Sequence, residues 1–197
     1  VINSITKFLA GHSDVTLGYV AARDPGLRTA IYDAAVTWGT TPSPFDCWLA
    51  ERGLHTFDLR FEKAQATAAA LADALAGRDG IRQVIYPGRA DHPHHNRAGT
   101  LFGGQFGNML SFEIEGGRDE VNSFVMNAGG IPFAPTLGDV GCTLSHPASS
   151  SHRALTTEGR AALGISEGYF RLSVGIEPPE LVLAELDAAL AAVRGES

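Results

Sequence analysis

The feature that most constrains this chain is an apolar stripe near its middle, Phe61, Ala64, Ala68, Leu71 and Leu75, closed by Gly77. Apolar residues three or four apart fall on one face of a helix and on both faces of a strand. The stripe therefore predicts a helix that buries one side and stops at the glycine. Upstream, Ser43-Pro44 predicts the start of a capped helix, because a serine hydroxyl can accept the first free N–H groups and proline fits the first helical position. Gly53 is expected to interrupt this upstream section. The stripe is expected to be a connecting helix between two domains, with the boundary near 60–78. The domain division read from it is residues 1–70 and residues 71–197.

The texture differs on the two sides. Residues 1–22 read as a strand remnant, a polar turn and a second apolar strand from Val15 to Ala22, followed by turn chemistry at Arg23-Asp24-Pro25-Gly26 and a helix over about 26–37. Beyond Gly77, Ile81–Tyr86 and Asn108–Ile114 read as strands and Asp91–Gly107 as loop. Residues 118–128 read as helix, Arg171–Ile176 as a third strand, and 178–194 as a final helix opened by Pro178 and Pro179. Strands mixed with helices give an α/β chain ending in a small α+β domain.

Composition removes several function classes. The net charge is −7 over 197 residues, so the chain has no overall basic field for nucleic acid or an acidic membrane face. No apolar run approaches the roughly 18 residues of a membrane-spanning helix. Cys47 and Cys142 fit neither a disulfide framework nor a CxxC metal site, and they suit a reducing, cytoplasmic setting. Of 15 basic residues, Lys7 and Lys63 are the two lysines and the other thirteen are arginines. The chain opens on Val1 with its most chemical segment almost at once, so an N-terminal part is expected upstream.

That segment is Ser4-Ile5-Thr6-Lys7-Phe8-Leu9-Ala10-Gly11-His12-Ser13-Asp14. A lysine that condenses with an aldehyde needs a depressed pKa so that its neutral amine can attack. Hydroxyls two or three residues away can hold a phosphate, and Gly11 allows a tight turn beside a bulky ligand. Spacing alone is also compatible with a solvated lysine in a polar turn.

The order of motifs along the chain adds to this. The lysine segment resembles the signature of the cystathionine γ-synthase-like enzymes of Cys/Met metabolism, which depend on pyridoxal phosphate (PLP). Ser43-Pro44-Phe45-Asp46-Cys47-Trp48-Leu49-Ala50-Glu51-Arg52-Gly53-Leu54-His55-Thr56 is similar to the helix that follows the lysine loop in that family. Tyr86-Pro87-Gly88, His92-Pro93, Met109-Leu110-Ser111-Phe112, Leu137-Gly138-Asp139, His146-Pro147-Ala148 and Arg171-Leu172-Ser173-Val174-Gly175-Ile176-Glu177 follow in family order. The resemblance covers essentially the whole chain. It implies the end of the large PLP-binding domain of a fold-type I (aspartate aminotransferase-like) enzyme, followed by the small C-terminal domain.

The resemblance also implies roles. Lys7 carries PLP as a Schiff base and moves protons between substrate carbons. Ser4 and Thr6 bind the phosphate. Arg171 clamps the substrate α-carboxylate, with a further contact from Thr136, which stands where the family has Ser. Pro135 replaces a Glu that cystathionine-handling members often place there to meet the distal ammonium, which weighs against cystathionine. Ser151 keeps the hydroxyl of a family Met-Thr-His segment that reads Ser150-Ser151-His152 here. The implied activity is γ-elimination or γ-replacement on methionine, homocysteine or an O-acylhomoserine. The alternatives are a cystathionine γ-synthase or γ-lyase, or a split or non-catalytic subunit that needs an N-terminal partner chain. Family likeness further implies homodimers paired into homotetramers, with the N-terminal half supplying the remaining cofactor ligands.

Other features carry less. His92, His94 and His95 lack the i, i+4 spacing that converges on one ion, so no metal is expected. Gly103-Gly104-Gln105-Phe106-Gly107 precedes a strand instead of opening a helix, which argues against a phosphate cradle. Trp38 and Trp48 are expected to be packing residues, Cys142 a small buried one, and His12 and Asp14 to orient the lysine loop.

Overall fold

The computed structural model describes residues 1–196. Their backbone falls into two compact units, residues 1–59 with 138–140, and residues 60–137 with 141–196. The division falls at Leu59–Arg60, inside the stripe-bearing helix; residue 70, the dividing point read from the sequence, lies further along that same helix.

In the first unit, β1 (Ile2–Ser4) and β2 (Gly18–Val20) form an antiparallel ribbon with Ile2 opposite Val20 and Ser4 opposite Gly18. α1 (Pro25–Trp38) starts where the Asp24 carboxylate accepts from Leu27 N at 2.7 Å, and it ends at Gly39 in the left-handed conformation. α2 (Pro44–Leu54) starts as its sequence predicts, with the Ser43 hydroxyl accepting from Asp46 N at 3.1 Å. Gly53 does not interrupt this helix. The break comes at His55-Thr56, and Gly53 is retained for packing. Trp38 and Trp48 depart from expectation: they are 82% and 54% exposed, and Trp48 stacks on Phe45 at 5.9 Å.

α3 (Phe57–Leu75) carries the stripe into the second unit, burying Ala64, Ala68, Leu71 and Leu75. There β3 (Ile81–Ile85), β4 (Met109–Ile114), β5 (Thr143–Ser145) and β6 (Tyr169–Ser173) form an antiparallel sheet in the order β3-β4-β6-β5. β4 buries every second residue, Leu110, Phe112 and Ile114, as strand alternation requires. These side chains join Phe170, Leu172 and Leu144 in a core with α3, α5 (Arg118–Asn127) and α7 (Pro179–Val193). At its centre Phe112, Phe124 and Phe170 lie 4.9–5.8 Å apart by ring centroid.

Four elements differ from the sequence expectation. α4 (His95–Phe102) occupies part of the segment expected to be loop; it is only eight residues long, and of its helically spaced apolar residues Ala98, Leu101 and Phe102 it buries Ala98 alone. α6 (Thr157–Ala162) buries nothing, and β5 is too short and too uniformly buried to alternate. The expected strand Arg171–Ile176 lies two residues earlier, at Tyr169–Ser173, where register with β4 runs from Met109–Ser173 to Glu113–Tyr169.

Candidate active site

Lys7 lies in the excursion between β1 and β2, half-buried. The excursion is held by its own backbone. Thr6 N donates to Leu17 O at 3.0 Å, Ala10 N to Ile5 O at 2.9 Å, and Gly11 N to Lys7 O at 2.8 Å. His12 Nδ1 lies 2.7 Å from Ala10 O; since a carbonyl can only accept, Nδ1 carries the proton. Among the described residues Ser13 is the one non-glycine with a positive φ, 53°.

α2 pins this turn from one side. A Cβ on Gly53 would stand 2.5 Å from Ala10 O and 2.8 Å from Ala10 Cα, closer than any Cβ approaches backbone. Phe8 adds an edge-to-face contact with Phe57, centroids 6.2 Å apart. The glycine read from sequence as a break is therefore a point of close approach between helix and lysine turn.

The two expected phosphate hydroxyls differ. Thr6 Oγ1 donates to Leu17 O at 3.1 Å and accepts from Leu17 N at 2.8 Å, so a phosphate would have to compete for its one proton. The Ser4 side chain is exposed and its hydroxyl makes no hydrogen bond among the described residues; its N–H donates to Asn3 Oδ1 at 2.8 Å. An amine on a fixed turn with a serine hydroxyl close by in the chain fits an aldehyde bearing a phosphate; the Ser4 hydroxyl is uncommitted among the described residues, whereas that of Thr6 is engaged with Leu17.

In the second unit, Arg171 sits in β6 opposite Ser111 and Ser145, on the strand face away from the fully buried Phe170 and Leu172. Its Nη2 donates to Thr136 O at 3.3 Å, so it is the Thr136 carbonyl that orients the guanidinium. Arg171 Nε is buried and has no partner among the described residues. An orphaned guanidinium N–H is a donor suited to a carboxylate, which binds Arg in a fork. The structure thus brings Arg171 and Thr136 together. Ser151 is exposed, and its hydroxyl pairs with His152 Nδ1 at 2.9 Å.

Cys142 is buried as expected. Burial above all, and then the Glu177 carboxylate, push its thiol up to about 12, despite the opposing bond from Gly175 N. Glu177 accepts from Cys142 N at 2.6 Å and from Cys142 Sγ at 3.2 Å, tying the entry of β5 to the segment after β6. No group of three or more metal-ligating side chains occurs among the described residues.

The architecture matches solved enzymes. Cystathionine γ-synthase from Xanthomonas oryzae pv. oryzae matches with a TM-score of 0.89 and 44% identity, over 100% of this chain and 51% of that one. Yeast cystathionine γ-lyase matches with a TM-score of 0.91 and 34% identity, over 98% and 50%. The chain therefore shares the fold of these enzymes over its length. More particularly, the chain belongs to the Cys/Met metabolism PLP-dependent enzyme family, whose model matches residues 1–191. Among curated relatives, cystathionine β-lyase of Bacillus subtilis is 40% identical over 190 residues, 96% of this chain and 48% of that protein. O-succinylhomoserine sulfhydrylase of Pseudomonas aeruginosa is 36% identical over 193 residues, 98% and 47%. The chain spans about half the length of the curated relatives it matches.

Proposed function

We propose that this chain is the C-terminal part of a PLP enzyme that eliminates or replaces the γ-substituent of a sulfur amino acid or O-acylhomoserine, with Lys7 as the cofactor's attachment point. The carrying observation is the family match over residues 1–191, a range that includes Lys7 and its flanking motif. When bound, PLP draws off the electron pair left at the substrate Cα after its proton departs. Lys7 Nζ would hold the cofactor through its aldehyde and, as the free amine, would take the substrate Cα proton and return it to a neighbouring carbon. Arg171 binds the α-carboxylate through its orphaned Nε and an Nη, held in register by Thr136 O. Ser4 donates to the phosphate, with Thr6 chiefly bracing the turn.

Pro135 carries neither a charge nor a donor, so it offers nothing to a second ammonium. This favours methionine, homocysteine or O-acylhomoserine over cystathionine. The second reading, cystathionine as substrate, is favoured by relatives named cystathionine β-lyase and γ-lyase.

The upstream half of the same polypeptide completes the enzyme in this account. α1 buries none of its residues and exposes Tyr32, Val36 and Trp38, and the relatives have about as much chain again. The homodimer and homotetramer expectations rest on family likeness, and the cytoplasmic one on the two cysteines that fit no disulfide framework. The test is an assay of the full-length, cofactor-loaded protein on methionine, cystathionine and O-acetylhomoserine, with and without sulfide. Release of a keto acid from methionine, or sulfide-dependent consumption of O-acetylhomoserine, supports the first reading. Turnover confined to cystathionine supports the second, and no turnover of any of the three refutes both.

A further inference from the structure

Three residues, Gly138, Asp139 and Val140, group with the first unit although the chain on both sides of them groups with the second. Each of the three touches the lysine turn. Val140 N donates to Gly11 O at 2.7 Å. The Ser13 hydroxyl donates to an Asp139 carboxylate oxygen. Gly138, at φ +83°, lies so close that a Cβ on it would stand 2.7 Å from Phe8 N, 2.9 Å from Lys7 Cβ and 3.1 Å from Lys7 C.

We propose that Gly138–Val140 is a strap that sets the position of Lys7, with Gly138 as its positioning residue. This rests on the proposed role of Lys7 and deepens it. The obstructing atoms are main chain and the root of the lysine itself, not the tip of a flexible side chain. A methyl group at Gly138 must therefore move the lysine, or the strap must lift. Ordinary contact begins at 3.4 Å, so Phe8 N would have to retreat by about 0.7 Å, from 2.7 to 3.4 Å. A displacement of that order at the root of a catalytic side chain carries through to its amine, and misplacements near 1 Å lower rates by on the order of 10²-fold. Ser13 is held at its positive φ where its hydroxyl meets Asp139, so the strap also fixes the far end of the turn.

Gly104 supplies a matched control. Its φ is +82°, and a Cβ there would meet nothing within 4 Å, so alanine brings the same backbone strain without the contact. The experiment compares Gly138→Ala and Gly104→Ala in the full-length, cofactor-loaded protein. It reads the pH titration of the visible band of the lysine-bound cofactor, the rate of borohydride trapping on Lys7, and kcat against KM. Gly138→Ala is expected to move the midpoint of the band, slow trapping, and lower kcat on the order of 10²-fold with KM changed by less than about threefold. Gly104→Ala is expected to leave all of these at wild-type values. Equal behaviour of the two variants, or a Gly138→Ala spectrum and trapping rate like wild type, overturns the strap. Should Gly138→Ala fail to fold, Ser13→Ala releases the strap at its other end. A wild-type midpoint and trapping rate in Ser13→Ala then overturns the proposal, and a shift in both supports it. Failure of wild type to trap on Lys7 at all would instead sink the assignment of Lys7, which is a distinguishable result.

Discussion

His146 is 1% exposed, and both of its ring nitrogens are engaged. Nε2 lies 2.7 Å from Glu167 O, which can only accept, so Nε2 carries the proton and Nδ1 accepts from the Ser149 hydroxyl at 2.7 Å. The ring also packs on Phe170, centroids 5.1 Å apart. A second proton, on Nδ1, would reverse the Ser149 bond and put a charge in the core near Arg118 and Arg160. Burial above all, then those two arginines, hold the pKa below the ordinary histidine value of 6.5, against the opposing pull of Glu167. The sign follows. Above pH 6.5 the ring is neutral both folded and unfolded, and its contribution to stability is complete. As pH falls below 6.5 the unfolded chain takes up a proton that the folded ring refuses, and stability declines until the pH reaches the lowered folded value. One such group costs at most about 1.4 kcal/mol per pH unit, so at most about 1.4 kcal/mol between pH 7.5 and 5.5. His146→Gln removes the titration while keeping an amide that can bond. At pH 7.5 it should cost about 1–3 kcal/mol through imperfect replacement of two buried hydrogen bonds. Urea unfolding of both proteins at the two pH values, followed by circular dichroism, isolates the group, since the other titrations cancel in the difference. The variant should lose less stability on acidification than wild type; identical pH dependence refutes the buried neutral ring.

Gly53→Ala should destabilise by about 1 kcal/mol. The helix propensity gain of about 1 kcal/mol is outweighed by an overpacking penalty of about 1–3 kcal/mol where the Cβ meets the backbone of Ala10; a rise in Tm would contradict that close approach. Cys142, 2% exposed with its thiol pushed up to about 12, should resist iodoacetamide at pH 8 in the native protein and react once unfolded, as peptide mass mapping would show. Arg171→Lys should raise KM for the amino-acid substrate about 10- to 100-fold, the equivalent of one charge-assisted hydrogen bond, while leaving the cofactor spectrum unchanged.

What was legible in the sequence was whatever repeats or caps locally. Ser43-Pro44 and the stripe from Ala64 to Leu75 lie in the helices they predicted because capping and helical period are properties of neighbouring residues. α4 and α6 were hidden because they bury one residue and none, and β5 because three buried residues cannot alternate. Residue type alone did not reveal that Trp38 and Trp48 are exposed among the described residues. The candidate site divides the same way. Lys7 and Arg171 stand inside ordered motifs, whereas the commitment of Thr6 to Leu17 and the closeness of Gly138 to Lys7 join residues distant in sequence. The Leu137-Gly138-Asp139 motif marked the strap's location but gave no sign of what its glycine touches.

The central claim is that Lys7 is the residue to which the cofactor is bound. The direct measurement is borohydride reduction of the full-length protein loaded with PLP, followed by peptide mass mapping. The account predicts loss of the visible band and a pyridoxyl group on Lys7, with none on Lys63 and no such band in Lys7→Ala. A pyridoxyl group found elsewhere, or an unchanged band in Lys7→Ala, would contradict it.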